Sequence, residues 1–122
     1  MFLGMCLAAT AAPAGPRFSW DTVPVYYHSC NFTGAYTDAA LDVVAKFPMV
    51  TIEKGQGVQD ASDTRFAEDK IVDTLRRVKQ RDANISTIFH YNSILDWPFY
   101  RLHADLVARP ALCARDKSGP PC

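Results

Sequence analysis

The stretch Met49-Val50-Thr51-Ile52-Glu53 decides the fold expected for this chain. It is a short β-rich run that ends in a carboxylate, and it follows a helical pattern that Pro48 ends. Two further runs have the same organisation, Val23-Pro24-Val25-Tyr26-Tyr27-His28 and Thr87-Ile88-Phe89-His90-Tyr91-Asn92. Each run ends in polar residues and leads towards an amphipathic helical stretch, which is typical of βα units with parallel strands. The sequence therefore predicts an α/β fold, a partial (β/α)8 barrel of about three βα units.

Apolar residues at spacings of three and four predict a helix after each strand. The predicted helices cover about 37–46, 65–81 and 98–109, and the second is the most regular. Its expected buried stripe is Ile71, Leu75 and Val78. In the third helix the expected inward residues are Phe99, Leu102, Leu106 and Val107, and the expected surface residues are Tyr100, Arg101, His103 and Asp105, with Arg101 and Asp105 paired. The glycine-bearing loop 54–63 is expected to face substrate.

Length and composition indicate one small soluble domain. The chain has 122 residues, of which 48% are hydrophobic and 21% charged. Thirteen basic residues balance thirteen acidic ones, so no net field favours nucleic acid or an anionic membrane as a partner. We expect a signal peptide and linker over 1–16, the partial βα-barrel domain over 17–116 and a flexible tail over 117–122.

The first residues have two interpretations, a cleaved signal peptide or an incomplete start of the gene product, and the expected location of the protein depends on which is correct. An apolar segment ends in Ala9-Thr10-Ala11, which fits a signal-peptidase pattern, but the basic residues expected before it are missing. The alternative is an incomplete start of the gene product. Two sequons, Asn31-Phe32-Thr33 and Asn84-Ile85-Ser86, favour the secretory pathway, and the other expectation is a cytoplasmic protein.

Four cysteines, Cys6, Cys30, Cys113 and Cys122, lack the close spacing of a zinc or redox motif. If Cys6 is removed with a signal peptide, three cysteines remain and at most one internal disulfide can form. It would join Cys30 to Cys113 or to Cys122. The other interpretation is that all of them are incidental thiols. No cofactor is expected from this pattern.

Alternation along the strands predicts which side chains share a face. Tyr27, Val50 and Phe89 fall on the face expected to lie under the helices. The opposite parity gathers the polar residues of all three runs, as the interior of a barrel near its catalytic end requires. That second set is Tyr26, His28, Met49, Thr51, Glu53, Ile88, His90 and Asn92.

Glu53 is the candidate catalytic residue, because a carboxylate at the end of an interior-facing strand can act as acid, base or hydrogen-bond acceptor. The alternative is an ion pair with Lys54. The predicted substrate-binding residues are His28, Asn31, His90, Asn92, Asp96 and Trp97. Asn and Asp hydrogen-bond sugar hydroxyls and a tryptophan face stacks on a sugar ring, although Asp96 and Trp97 also suit the start of a helix. No metal is expected, since no helical metal-ligand spacing accompanies the histidines.

Several of these segments resemble the amino-terminal part of glycoside-hydrolase-like TIM-barrel proteins, a family of hypothetical glycosidases. The resemblance extends from Phe18 to about Asp116. The segments that carry it are Arg17-Phe18-Ser19-Trp20-Asp21-Thr22-Val23-Pro24, His28, Met49-Val50-Thr51-Ile52-Glu53-Lys54, Ile88-Phe89-His90-Tyr91-Asn92-Ser93 and Asp96-Trp97-Pro98-Phe99-Tyr100. It implies a (β/α)8 barrel that acts on glycosidic bonds with two carboxylates. The three predicted βα units do not reach the fourth strand, which often carries the acid in such enzymes. The catalytic pair of carboxylates is therefore expected to be missing.

Three functions follow as hypotheses. The first is a glycoside-hydrolase-like protein that is an incomplete or inactive copy. The second is a noncatalytic carbohydrate-binding or interaction protein, and the third is a metal-dependent hydrolase built on His28, Glu53 and His90. Carbohydrate is the expected partner, together with self-association through the open edge of the sheet.

Overall fold

A computed structural model describes residues 19–113 of the chain. The predicted signal peptide and linker over 1–16 and the predicted tail over 117–122 lie outside these residues. The described elements, in chain order, are β1 (Tyr26–Ser29), α1 (Asp38–Val44), β2 (Met49–Ile52), α2 (Ala67–Arg81), β3 (Ser86–Phe89), α3 (Arg101–Ala108) and a short 3₁₀ turn at Pro110–Leu112. None of the helices within 19–113 has both the length and the apolar character that crossing a bilayer demands.

The strands form one sheet in the order β1-β2-β3, and both neighbouring pairs are parallel. In this register His28 lies opposite Thr51, and Thr51 lies opposite Ile88. The α/β class and the parallel βα units are therefore confirmed. Within 19–113 the sheet is open, with three strands, and it does not close into a barrel.

The core lies between one face of the sheet and the first two helices. Val50 and Ile52 of β2 are fully buried there, together with Leu41 of α1 and Ile71 and Val78 of α2. The predicted stripe of α2 is confirmed, because residues three and four positions apart share one side of a helix. Two βα connections thus place both helices on the same face and leave the polar face free to carry a site.

The first strand is shorter than the sequence predicts. Val23 and Val25 are exposed and precede β1, although their alternation with Tyr27 suggested a strand. Pro24 lacks the N–H that a ladder needs, and the first residue of β1 pairs with Met49, directly after Pro48. The third strand likewise ends at Phe89, so His90 and Asn92 follow it.

The third helix differs most from its predicted arrangement. No residue of α3 is buried, so the expected inward orientation of Leu102 and Val107 is wrong. Tyr100, expected on the surface, is instead only 1% exposed. Arg101 pairs with Asp69 of α2 at 2.6 Å, and not with Asp105. The physical reason is that α3 lies against the start of α2, with no sheet surface to cover its apolar side.

The middle of the loop after β2 packs inside the fold, and its predicted substrate-facing role stays a prediction. Gly55, Gln56 and Gly57 are buried, and the Gly57 amide donates to the Asn31 carbonyl at 2.7 Å. Gly57 has a φ of +64°, in the left-handed region that favours glycine. The buried ammonium of Lys70 donates to the Gly57 carbonyl at 2.7 Å. These bonds hold the loop against the segment that follows β1.

Candidate functional site

Three side chains from the carboxyl ends of β1, β2 and β3 meet at one point. His28 Nε2 lies 2.8 Å from Glu53 Oε1, and His90 Nδ1 lies 3.1 Å from Glu53 Oε2. One nitrogen from each imidazole and one carboxylate oxygen all lie within 4.8 Å of one another. Strand alternation predicted that His28 and Glu53 converge with Asn92. The meeting of His28 and Glu53 is confirmed and His90 joins them, whereas Asn92 lines a groove beside α3. We call His28, Glu53 and His90 the His-Glu-His cluster.

Strand pairing continues one residue past β2 and β3, which explains how the cluster is aligned. The Glu53 amide donates to the Ser29 carbonyl at 3.0 Å, and the His90 amide donates to the Ile52 carbonyl at 3.3 Å. Alternation then directs Glu53 and His90 to the same face as His28. Two-residue periodicity and a parallel register are thus sufficient to assemble the group.

The strand residues one layer below support the cluster. Tyr26 donates its hydroxyl hydrogen to Thr51 Oγ1 at 2.7 Å, across the first two strands. The ring of Tyr26 lies 5.6 Å from that of His28, and the rings of His28 and His90 meet edge to face at the same separation of 5.6 Å. Ring packing from below therefore limits the orientations of His28. The imidazole side chains are still 39% and 40% exposed, so a ligand can reach them.

Glu53 stays ionised in this environment. Partial burial by itself raises its pKa, but hydrogen bonds from Lys54 and His28, together with the nearby imidazole of His90, outweigh burial and lower the pKa to about 2. Lys54 Nζ donates to Glu53 Oε2 at 2.8 Å, so the ion pair considered as an alternative is present. A carboxylate of this kind accepts hydrogen bonds or binds a cation at neutral pH. It does not supply a proton as a general acid.

His90 contributes a nitrogen whose bonding capacity is unused. Its Nδ1 atom is buried and forms no hydrogen bond, although Glu53 Oε2 lies 3.1 Å away. Distance alone satisfies the criterion for an ion pair, whereas a hydrogen bond also requires alignment. The nitrogen therefore faces the centre of the cluster without a directed partner.

Cys30 lies beside the cluster and was not singled out from the sequence as a site residue. Its thiol is half-buried and free, so the disulfide predicted between Cys30 and Cys113 is not formed, while the alternative partner, Cys122, lies outside the described residues. Burial raises the pKa of the Cys30 thiol, and the negative charge of Glu53 raises it further. Strand parity contained the signal, because Cys30 is two residues beyond His28.

Asn31 stabilises its own loop. Its side-chain Nδ2 donates to the Ala35 carbonyl at 3.2 Å, and its Oδ1 accepts from the Thr33 hydroxyl at 2.9 Å. The Asn31 amide N–H donates to the side chain of Gln56 at 2.9 Å. These contacts tie Asn31 to the loops behind the cluster, and its predicted contact with substrate stays a prediction.

The other predicted substrate-binding residues lie along the segment between β3 and α3. Asn92 and Asp96 line a groove of about 290 Å³ with apolar residues of α3. Asn92 Oδ1 accepts from the Ile94 and Leu95 amides at 2.9 and 3.0 Å, which makes a local turn. The ring of Trp97 stacks on that of Phe99 at 5.6 Å.

Asp96 does not cap α3, which was the alternative to sugar binding. It pairs instead with His103 Nδ1 at 2.5 Å. The first amide of the helix, that of Arg101, donates to the carboxylate of Glu68 at 3.0 Å. Glu68 of α2 thus caps the N-terminus of α3, the role that the local sequence pattern assigned to Asp96.

No protein-family model and no curated protein matches this chain. The family resemblance of the sequence therefore stays a proposal. The residues of the His-Glu-His cluster are the main indication of function.

Proposed function

We propose that this chain is a glycoside-hydrolase-like protein, an inactive copy that binds carbohydrate at the His-Glu-His cluster. The observation that carries the proposal is the meeting of His28, Glu53 and His90 at the carboxyl ends of three parallel strands. Ligands of βα sheets bind at this end, because the strands direct their last side chains and loops there. The segments that resemble glycoside-hydrolase-like proteins include all three residues, which supports the same function.

The cluster has the chemistry to bind sugar hydroxyls. A hydroxyl donates one hydrogen bond and accepts two, and the cluster offers a carboxylate acceptor beside two imidazoles. Glu53 is the strongest acceptor, because an ionised carboxylate forms charge-assisted bonds. Its side chain is 24% exposed, which leaves it accessible and partly desolvated.

Binding without hydrolysis is the expected activity. A glycosidase requires two carboxyl groups at about 5–9.5 Å, one of which must be protonated to act as the acid. The three side chains that surround Glu53 are instead a lysine and two histidines, and they lower the pKa of Glu53 to about 2. Glu53 can stabilise positive charge on a sugar ring, but it cannot protonate a leaving group at neutral pH.

The test is saturation-transfer-difference NMR of the 122-residue chain with a panel of methyl glycosides, alongside hydrolysis assays with nitrophenyl glycosides. We expect saturation transfer to at least one glycoside and no release of nitrophenol. Glu53→Gln is expected to weaken binding by about 10–100-fold, because it removes a charge-assisted acceptor worth about 1.5–3 kcal/mol. Asp73→Asn, which neutralises a half-exposed carboxylate on α2, is the matched control and is expected to bind normally.

Two results would contradict carbohydrate binding at the cluster. The first is no saturation transfer to any glycoside of the panel. The second is an unchanged affinity in Glu53→Gln, which would place the binding elsewhere on the chain.

We further propose that the chain self-associates through the open edge of its sheet. Within 19–113 both β1 and β3 have a strand neighbour on one side only, and Ile88 of β3 is 42% exposed. Unpaired backbone groups beside exposed apolar side chains favour strand pairing between copies. Ile88→Lys is therefore expected to shift sedimentation at micromolar concentration towards the monomer.

The control for association is Val107→Lys on α3, at a position that is 68% exposed and lies off the sheet. It is expected to sediment like the unmodified chain. A monomeric unmodified chain at micromolar concentration would exclude self-association. Equal association in Ile88→Lys would show that the sheet edge is not the contact.

A further inference from the structure

We infer that His28, Glu53 and His90 form a binding site for a divalent transition-metal ion such as Zn²⁺. The site goes beyond carbohydrate binding and does not depend on it. Two imidazoles and one carboxylate are the protein ligands of one class of catalytic zinc site, and non-haem iron enzymes use the same set. Three protein ligands leave further positions for water or a substrate oxygen.

The spacing of the ligand atoms fits a metal ion. Bonds of about 2.0–2.2 Å at tetrahedral or octahedral angles separate neighbouring ligand atoms by about 2.8–3.6 Å. The two nitrogen-to-oxygen distances in the cluster are 2.8 and 3.1 Å. These distances involve different oxygens of Glu53, and the three ligand atoms lie within 4.8 Å of one another. A metal therefore draws the most distant pair together by about 1 Å, which side-chain rotations provide without a change in the sheet.

His90 supplies an independent indication. Its Nδ1 is buried without a hydrogen bond, and a buried polar atom left unbonded costs stability. A metal ion at the centre of the cluster would accept the lone pair of this nitrogen and remove that cost. The same ion would replace the hydrogen bond between His28 and Glu53 by two coordinate bonds.

Lys54 is the competitor of the metal. Its ammonium lies 2.8 Å from Glu53 Oε2 and compensates the carboxylate charge that a metal would use. The lysine side chain is partly exposed on a flexible stem, so its ammonium can move into solvent when the ion binds. Removing this charge is therefore expected to strengthen metal binding, whereas removing a ligand weakens it.

The experiment is a titration of the metal-free 122-residue chain with Co²⁺ by absorption spectroscopy and with Zn²⁺ by competition with a chromogenic chelator. We expect one ion per chain and a cobalt spectrum without a thiolate charge-transfer band. His28→Ala and His90→Ala are expected to weaken binding by about 100-fold or more, beyond the 10–100-fold typical of outer-shell partners. Lys54→Gln is expected to tighten binding about fivefold, and Cys30→Ser to leave it unchanged.

His103→Ala is the matched control, because His103 is a half-buried histidine that pairs with Asp96, another carboxylate. It is expected to bind Zn²⁺ like the unmodified chain. Circular dichroism of each variant establishes that the fold is retained.

Three results would overturn the metal site. They are no one-to-one binding of either ion, binding that survives loss of both His28 and His90, or Lys54→Gln that fails to bind more tightly. The Lys54→Gln measurement tests the metal site even if a histidine variant unfolds, because it leaves both histidines in place. Metal binding without saturation transfer to any glycoside would refute only the proposed function, and the reverse pattern would refute only the metal site.

Discussion

Tyr100→Ala is expected to lower the free energy of unfolding by about 3–5 kcal/mol, the range for removal of a large buried aromatic side chain. Tyr100 is 1% exposed and stacks on Tyr91 with ring centroids 4.3 Å apart. Phe99 meets it edge to face at 5.1 Å, and the Asn92 amide donates to its hydroxyl at 3.4 Å. Truncation leaves a cavity between the segment after β3 and the start of α3.

The measurement is urea denaturation combined with hydrogen exchange of the α3 amides. Leu102→Ala, at a position 43% exposed in the first turn of α3, is the control and should cost less than about 1 kcal/mol. Tyr100→Phe retains the ring and should cost about 1 kcal/mol, the value of one hydrogen bond. If Tyr100→Ala matched Leu102→Ala in stability and in exchange, the buried position of Tyr100 would be refuted.

Gln56→Leu is expected to destabilise the protein by about 2–4 kcal/mol, although the two side chains are similar in size. The buried amide of Gln56 accepts from the Asn31 amide at 2.9 Å and donates to the Gly34 carbonyl at 2.7 Å. Leucine offers neither bond, so two backbone groups would lose their partners, at about 1–3 kcal/mol for each buried group.

Gln59→Leu is the control for this change, since it makes the same substitution at an exposed position of the same loop. We expect its free energy of unfolding, measured by urea denaturation, to stay within about 0.5 kcal/mol of the unmodified chain. Equal midpoints for Gln56→Leu and Gln59→Leu would mean that the loop does not depend on the buried amide.

The elements nearest the site could be predicted from local patterns. Helix α2 follows from the spacing of Ile71, Leu75 and Val78, and β2 from its β-rich run after Pro48. Strand alternation then predicted that His28 and Glu53 share a face, which their contact confirms. Such predictions succeed because the two-residue period of a strand and the 3.6-residue period of a helix act within a few residues.

The loop and α3 could not be predicted in the same way. The burial of Gln56 and Lys70 depends on backbone groups at Gly34 and Gly57, which no local pattern identifies. Polar residues are assigned to the surface unless their hydrogen-bond partners are known. The cap of α3 likewise comes from Glu68, in a different helix.

The sequence by itself determined the order of strands and helices, the face that each strand residue occupies and the identity of the three cluster residues. Only the tertiary structure decided that Lys54 and both histidines surround Glu53, that His90 Nδ1 is buried without a hydrogen bond, and that Tyr100 is buried. The physical reason is the distance along the chain over which each interaction acts. Periodicity acts between neighbours along the chain, whereas burial and charge pairing depend on side chains that meet only after the sheet has formed.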